Sequence, residues 1–181
     1  DDAGRALLLE DLRSPCTEEV AVFHAFSRIV SEARSAFVVL DTAPTGHTLL
    51  LMDATGAYHR QMTQAFEGTA SARVVTPLMR LQDPETTHIV LVTLPEVTPV
   101  SEAAALQDDL RRARIEPYAW VVNRSLAATG TQDPLLAARL HSEAAQIARV
   151  TGGLAPRTHV VPWQATPPVG NAALRALVDG G

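Results

Sequence analysis

Short apolar runs alternate along this chain with longer segments of helical periodicity. Apolar runs bounded by turn residues are typical of strands buried on both faces of a sheet. The predicted strands are residues 37–41, 88–93, 118–123 and 158–162. Because helical segments separate them, the pattern predicts an α/β fold with a mostly parallel sheet, right-handed crossovers and flanking helices.

Helix-start signals stand before the amphipathic segments. Thr98 and Asp133 each precede a proline, which predicts an N-cap followed by proline at the first helical position. A Gly152-Gly153 pair is predicted to end the second of these helices. The predicted helices cover residues 17–34, 100–114, 134–150 and 171–178.

Residues 53–80 interrupt the alternation of strands and helices. Gly56, Gly68 and the small residues 69–72 break the helical pattern there. We predict a helical excursion over residues 53–80, whose last part, residues 66–80, is a mobile surface segment.

Composition and charge narrow the class of protein. The chain has 181 residues, 46% of them hydrophobic and 19% charged, which is an ordinary balance for one soluble domain. A net charge of −5 does not favour a nucleic-acid partner. No apolar stretch approaches the roughly 20 residues of a membrane helix. The single cysteine, Cys16, cannot form an internal disulfide, which fits a cytoplasmic location.

The basic residues are all arginine, 15 of them, and the chain contains no lysine. A phosphate-binding loop of the P-loop type needs a lysine at the β- and γ-phosphates. We therefore expect residues 1–181 to be the carboxyl-terminal part of one domain, with the phosphate loop upstream. The alternative is a natural relative that has lost this loop.

Asp41 is the last residue of the predicted strand 37–41 and so stands at its carboxyl end. In open parallel sheets, ligands bind at that end of the strands. A carboxylate placed there can hold Mg²⁺ directly or through a bound water, as in ATPases. Pro44 and Gly46 then favour a loop rather than an immediate helix. The alternative is that Asp41 only caps the next turn.

A longer motif gives this segment a family resemblance. Residues 41–49, Asp-Thr-Ala-Pro-Thr-Gly-His-Thr-Leu, resemble the signature that follows the nucleotide site in the arsenical pump-driving ATPases. Residues 91–100 and 121–126 extend the resemblance. It implies a P-loop NTPase-like fold of the SIMIBI type with a deviant Walker A loop, incomplete here. It further implies the carboxyl-terminal part of the second half of a two-halved ATPase.

The resemblance implies a site for ATP and Mg²⁺. In it, Asp41 would hold the water of Mg²⁺, Thr42 and Pro44 would belong to the nucleotide-sensing loop, and Asn123 and Pro162 would contact the base. An asparagine amide donates and accepts at once, which suits adenine. The alternative for Asn123 is a loop cap after its strand. Glu96 either lines the same site or leads into the next helix.

The resemblance also implies a site for arsenite or antimonite. Its ligands in this chain would be Ser14, Cys16 and His47, each paired with a ligand from the other ATPase half. Soft ions select thiolate, which agrees with a cysteine ligand. The alternatives are a small buried hydrophobic role for Cys16 and a helix-capping role for His47.

The implied parent couples ATP hydrolysis to arsenite or antimonite efflux through a membrane permease. Its partners would be the other ATPase half, the permease and an arsenic chaperone, at the inner face of the membrane. Two alternatives remain open. A targeting ATPase for tail-anchored membrane proteins would need a methionine-rich groove, but residues 53–80 hold only Met62 and Met79. A non-catalytic domain that binds a nucleotide or a partner is favoured if the native chain begins at Asp1.

Overall fold

The computed structural model describes residues 25–30, 32, 37–41 and 75–179. The chain forms two compact units, Asp1–Thr87 and His88–Gly181. In the first unit, residues 25–30 are helical, and helix α1 spans Pro77–Leu81. The Thr76 hydroxyl accepts a hydrogen bond from the Met79 backbone N–H at 3.4 Å and caps α1. The predicted surface segment 66–80 therefore includes helical residues at its carboxyl end.

Residues 37–41 do not form the predicted buried strand. They have no regular secondary structure, and the side chains of Phe37 and Val39 are 95% and 77% exposed. A strand is stabilised by backbone pairing with a neighbour, and the sheet pairings among the described residues do not include this segment. The apolar run alone therefore gave a wrong prediction, and Asp41 is an exposed residue that follows no strand.

The second unit contains a parallel sheet of three strands in the order β1-β2-β3. The strands are β1 (Val90–Thr93), β2 (Ala119–Ser125) and β3 (Thr158–Pro162). Thr93 lies opposite Val122, and Val122 lies opposite Val160, so the carboxyl ends of all three strands meet at one edge. The predicted parallel α/β architecture is confirmed, although β1 begins two residues later and β2 ends two residues later than predicted.

Three longer helices connect and follow the strands. They are α2 (Val97–Arg112), α3 (Pro134–Arg149) and α4 (Gly170–Asp179). The N-cap of α3 is Asp133 as predicted, and its carboxylate accepts from the Leu135 N–H at 2.7 Å. The pair Gly152-Gly153 does not end the helical path, because a π-helical turn, Val150–Leu154, continues it.

Helix α2 begins three residues before its predicted start. Its N-cap is Glu96 rather than Thr98, and the Glu96 side chain makes no capping hydrogen bond. Pro99 lies inside the first turn, where backbone N–H groups have no intrahelical partner, so proline is tolerated there.

The core of the second unit lies between α2 and one face of the sheet. Gln107 of α2 joins that core through both ends of its amide. Its oxygen accepts from Trp120 Nε1 at 2.7 Å, and its nitrogen donates to the Leu154 carbonyl at 3.0 Å. The buried apolar side chains of these elements are Leu91, Val100, Ala103, Leu110, Trp120 and Val122.

The other face of β1 is exposed. Val90 and Val92 are 44% and 61% exposed, whereas Leu91 and Thr93 between them are buried. The prediction of a strand buried on both faces is therefore wrong for β1, which shows the alternation of a strand covered on one side.

Polar and aromatic contacts close the amino-terminal edge of the sheet. The Tyr118 ring stacks on His88 at 4.1 Å, and the Arg157 guanidinium lies 4.5 Å from the Tyr118 ring centroid. Nearby, Arg111 donates to Glu116 at 2.7 Å, and this hydrogen bond lowers the pKa of the Glu116 carboxyl. These contacts fasten the loops before β2 and β3.

Candidate functional site

The end of β2 is interrupted by one residue in a left-handed conformation. Arg124 has φ of +59°, and the register between β2 and β3 shifts between Val122 and Ser125. After this break Ser125 pairs with Pro162. Asn123 therefore does not close its strand as predicted. It lies inside β2, because pairing resumes beyond the irregular residue.

A pocket of about 330 Å³ opens at the carboxyl ends of the three strands. Residues that follow β1, residues at the end of β2, the residue after β3 and the start of α3 contribute to it. In open parallel sheets this edge is where ligands bind. The lining residues are Leu94, Pro95, Glu96, Arg124, Leu126, Leu136, Arg139 and Trp163.

The charged groups of the pocket are two arginines and one glutamate. Arg139 Nη2 donates to Glu96 Oε1 at 2.9 Å, and Arg139 Nε lies 3.9 Å from Glu143 Oε1. Arg124 is exposed and makes no ion pair or side-chain hydrogen bond within residues 75–179. With apolar walls beside these guanidinium groups, the pocket suits a ligand that combines a flat apolar part with negative charge.

Beneath the pocket, a buried carboxylate holds the segment that leaves β2. Glu143 is 2% exposed, and its Oε2 accepts from the backbone N–H groups of Leu126 at 2.8 Å and Ala127 at 3.1 Å. The Ser125 hydroxyl donates to the same oxygen at 3.2 Å. The Ser125 carbonyl in turn accepts from the Trp163 N–H at 2.9 Å, which ties the ends of β2 and β3 together.

Sequence reasoning missed Glu143, although a signal for it exists. Leu136, Leu140 and Ile147 form the apolar stripe of α3, and Glu143 lies three residues after Leu140 and four before Ile147. It therefore shares the face of that stripe. A carboxylate within an apolar stripe needs buried donors, which the loop after β2 supplies.

The predicted base-contacting residues lie beside the pocket. Asn123 directly precedes Arg124, and Pro162 directly precedes Trp163, so both are next to lining residues on adjacent strands. Glu96 lines the pocket itself. Binding of a base by Asn123 and Pro162 stays a prediction.

The other predicted site residues are Asp41 and five residues outside the described ranges. Asp41 is exposed in the first unit, and its role stays a prediction. Ser14, Cys16, Thr42, Pro44 and His47 lie outside the described residues. Within the residues that the structure describes, no three His, Cys, Asp or Glu side chains are grouped so as to hold a metal ion. No helix in those ranges has the length and apolar character needed to cross a membrane.

Comparison with known proteins supplies the family. A family model described as anion-transporting ATPase matches residues 2–82 and 69–178. The chain is 54% identical over 179 residues to the arsenical pump-driving ATPase of Acidiphilium multivorum, covering 99% of this chain and 30% of that protein. Two arsenical pump-driving ATPases of Escherichia coli are 56% and 55% identical over 98% of the chain and 30% of their own length.

The matches agree with the resemblance read from residues 41–49, and the parallel sheet agrees with a P-loop NTPase-like α/β fold. The chain spans about 30% of the length of these relatives. It belongs to the family of anion-transporting ATPases.

Proposed function

We propose that this chain is the carboxyl-terminal part of the second half of an arsenical pump-driving ATPase. The whole protein would couple ATP hydrolysis to efflux of arsenite or antimonite through a membrane permease. The observation that carries the proposal is the identity of 54–56%, which extends over nearly the entire chain. The pocket at the carboxyl ends of the strands supports it, because apolar walls beside guanidinium groups suit the base and the negative charge of a nucleotide.

The nucleotide would lie at this pocket. The Asn123 amide, which makes no side-chain hydrogen bond within residues 75–179, offers a donor and an acceptor for the adenine edge. Pro162 would contact the base from β3. Arg124 would contact the negatively charged or polar parts of the nucleotide. In nucleotide sites Mg²⁺ binds one or two carboxylates together with substrate phosphates. Asp41 would be that carboxylate, and Thr42 and Pro44 would belong to the loop that senses the nucleotide.

The metalloid would bind Ser14, Cys16 and His47, together with ligands from the other ATPase half. Arsenite or antimonite is cargo of the pump and an activating ligand of the ATPase in this proposal. If the loop that carries His47 also responds to nucleotide, binding at the two sites must be coupled reciprocally.

The partners would be the other ATPase half, the efflux permease and an arsenic chaperone. The protein would work in the cytoplasm, held at the inner face of the membrane through the permease. Residues 1–181 alone would not hydrolyse ATP, because the lysine of the phosphate loop is absent from them.

Steady-state ATP hydrolysis by the full-length protein, with Mg²⁺ and with or without antimonite, tests the proposal. We expect antimonite to raise the rate and Cys16→Ser to abolish that increase. Replacing Asn123 by alanine removes hydrogen bonds to the base, so the KM for ATP should rise about tenfold. Asn171→Ala, an exposed asparagine at the start of α4, is the matched control and should leave KM unchanged.

Two results would contradict the proposal. One is a full-length protein that does not hydrolyse ATP. The other is a rate of ATP hydrolysis that neither antimonite nor arsenite changes. If a protein with that behaviour also captures a tail-anchored segment in the presence of ATP, the result would support the targeting ATPase instead.

A further inference from the structure

We infer that Glu143 is a positioning residue of the nucleotide pocket, which acts through Ser125 to hold Arg124 against the ligand. The inference rests on the proposed nucleotide site. Glu143 does not line the pocket itself. It lies beneath the pocket on α3 and acts through the segment that connects β2 to the following loop.

The first support is the convergence of donors on one carboxylate oxygen. Glu143 Oε2 accepts from Ser125 Oγ, Leu126 N and Ala127 N at 2.8–3.2 Å. Ser125 and Glu143 are 0% and 2% exposed. Hydrogen bonds to an ionised acceptor are shorter and stronger than neutral ones, and burial strengthens them further. Three consecutive residues are therefore fixed from a single side chain.

The second support is the backbone of Arg124, the residue just before this fixed segment. Its φ of +59° lies in the left-handed region, where a side chain with a Cβ is sterically disfavoured. Such a conformation persists only where the surroundings over-determine it. Pairing of Val122 with Val160 fixes the chain before the break, and Glu143 fixes it from Ser125 onward. Arg124 must bridge these two points, and it is one of the residues that line the pocket.

The third support is the set of other groups that meet at Ser125. The Ser125 carbonyl accepts from the Trp163 N–H, and Trp163 lines the pocket from the end of β3. On its other oxygen, Glu143 faces Arg139, whose guanidinium also binds Glu96. A carboxylate suits both the loop donors and the Arg139 guanidinium, because each of its oxygens is an acceptor. A glutamine would offer an acceptor to the loop but would turn N–H donors toward Arg139.

A double-mutant cycle in the full-length protein tests this inference, with ADP binding measured by calorimetry. We expect Arg124→Ala and Glu143→Ala each to weaken ADP binding about tenfold, because that is the effect of losing one hydrogen bond to a charged group. If Glu143 acts through Arg124, adding Glu143→Ala to Arg124→Ala should weaken binding by less than about twofold more. Glu102→Ala, an exposed glutamate on α2, is the matched control and should bind ADP as the wild type does.

Effects of Glu143→Ala that are equal with and without Arg124, or an unchanged ADP affinity, would overturn the inference. Should the alanine variant fail to fold, the cycle is run with Glu143→Gln, which keeps an acceptor for Leu126 and Ala127 but loses the charge that strengthens their hydrogen bonds, so a smaller loss of ADP affinity is expected. The same non-additivity with Arg124 is expected, and simple addition of the two effects would again refute it. Wild-type protein that does not bind ADP would overturn the proposed function, whereas wild-type binding with additive effects would overturn this inference alone.

Discussion

Gln107 shows how a single polar side chain can belong to a core. It is 2% exposed, and its amide joins α2 to the Trp120 indole and to the Leu154 carbonyl. The spacing of Ala103, Leu106 and Leu110 predicts Leu106 on the apolar face of α2, but the structure buries Gln107 and leaves Leu106 half-buried. The physical reason is that the Trp120 indole N–H needs an acceptor once Trp120 is buried, and the Gln107 amide supplies it. Hydropathy contains no information about that need.

Replacing Gln107 by leucine should lower the free energy of unfolding by about 2 kcal/mol, because a buried indole N–H and a carbonyl lose their partner. Gln132→Leu, an exposed glutamine in the loop before α3, is the matched control and should change it by less than about 0.5 kcal/mol. Chemical denaturation of the purified variants measures both. Equal stability of the two variants would show that the amide bridge contributes nothing.

At the scale of elements, local chemistry set the start of α3 but not that of α2. Asp133 and Pro134 are adjacent in sequence and act within one turn, so their pattern predicts the cap correctly. In α2 the same kind of pattern, Thr98 before Pro99, does not mark the start, because the helix tolerates proline anywhere in its first turn. The Glu96 carboxylate binds Arg139 of α3 instead of capping its own helix.

Two substitutions of Asp133, the N-cap of α3, should differ in their effect on stability. Asp133→Ala removes the acceptor for the Leu135 N–H and should destabilise the protein by about 1 kcal/mol. Asp133→Asn keeps a side-chain oxygen at the cap and should stay within a few tenths of a kcal/mol of the wild type. Thermal unfolding midpoints of the three proteins decide it, and an asparagine variant as unstable as the alanine variant would contradict a capping role.

At the scale of the whole second unit, stability should be distributed according to pairing and burial. Strand β2 pairs on both sides and carries Trp120 and Val122, which are fully buried. Helix α4 has no buried residue among those the structure describes. Regions with few buried contacts open at low free-energy cost, while the central elements of a sheet open last.

Native-state hydrogen exchange measures this distribution. We expect the backbone amides of β2 to exchange most slowly, because they exchange only on global unfolding. The amides of α4 should exchange at least about a hundredfold faster, because local opening of that helix exposes them. The amides of α2 that face the sheet serve as the internal comparison, with protection close to that of β2. Equal protection in α4 and β2 would contradict this distribution of stability.

The sequence by itself determined the features that depend on neighbours along the chain. These are the parallel α/β class, the strands around residues 90, 120 and 160, the cap at Asp133 and the family motif at residues 41–49. Tertiary structure decided the features that depend on distant partners. Glu143 meets Leu126 across 17 positions, and Arg139 meets Glu96 across 43. The apolar run 37–40 and the exposed face of β1 belong here too, because exposure depends on what packs nearby and hydropathy records only the side chain itself.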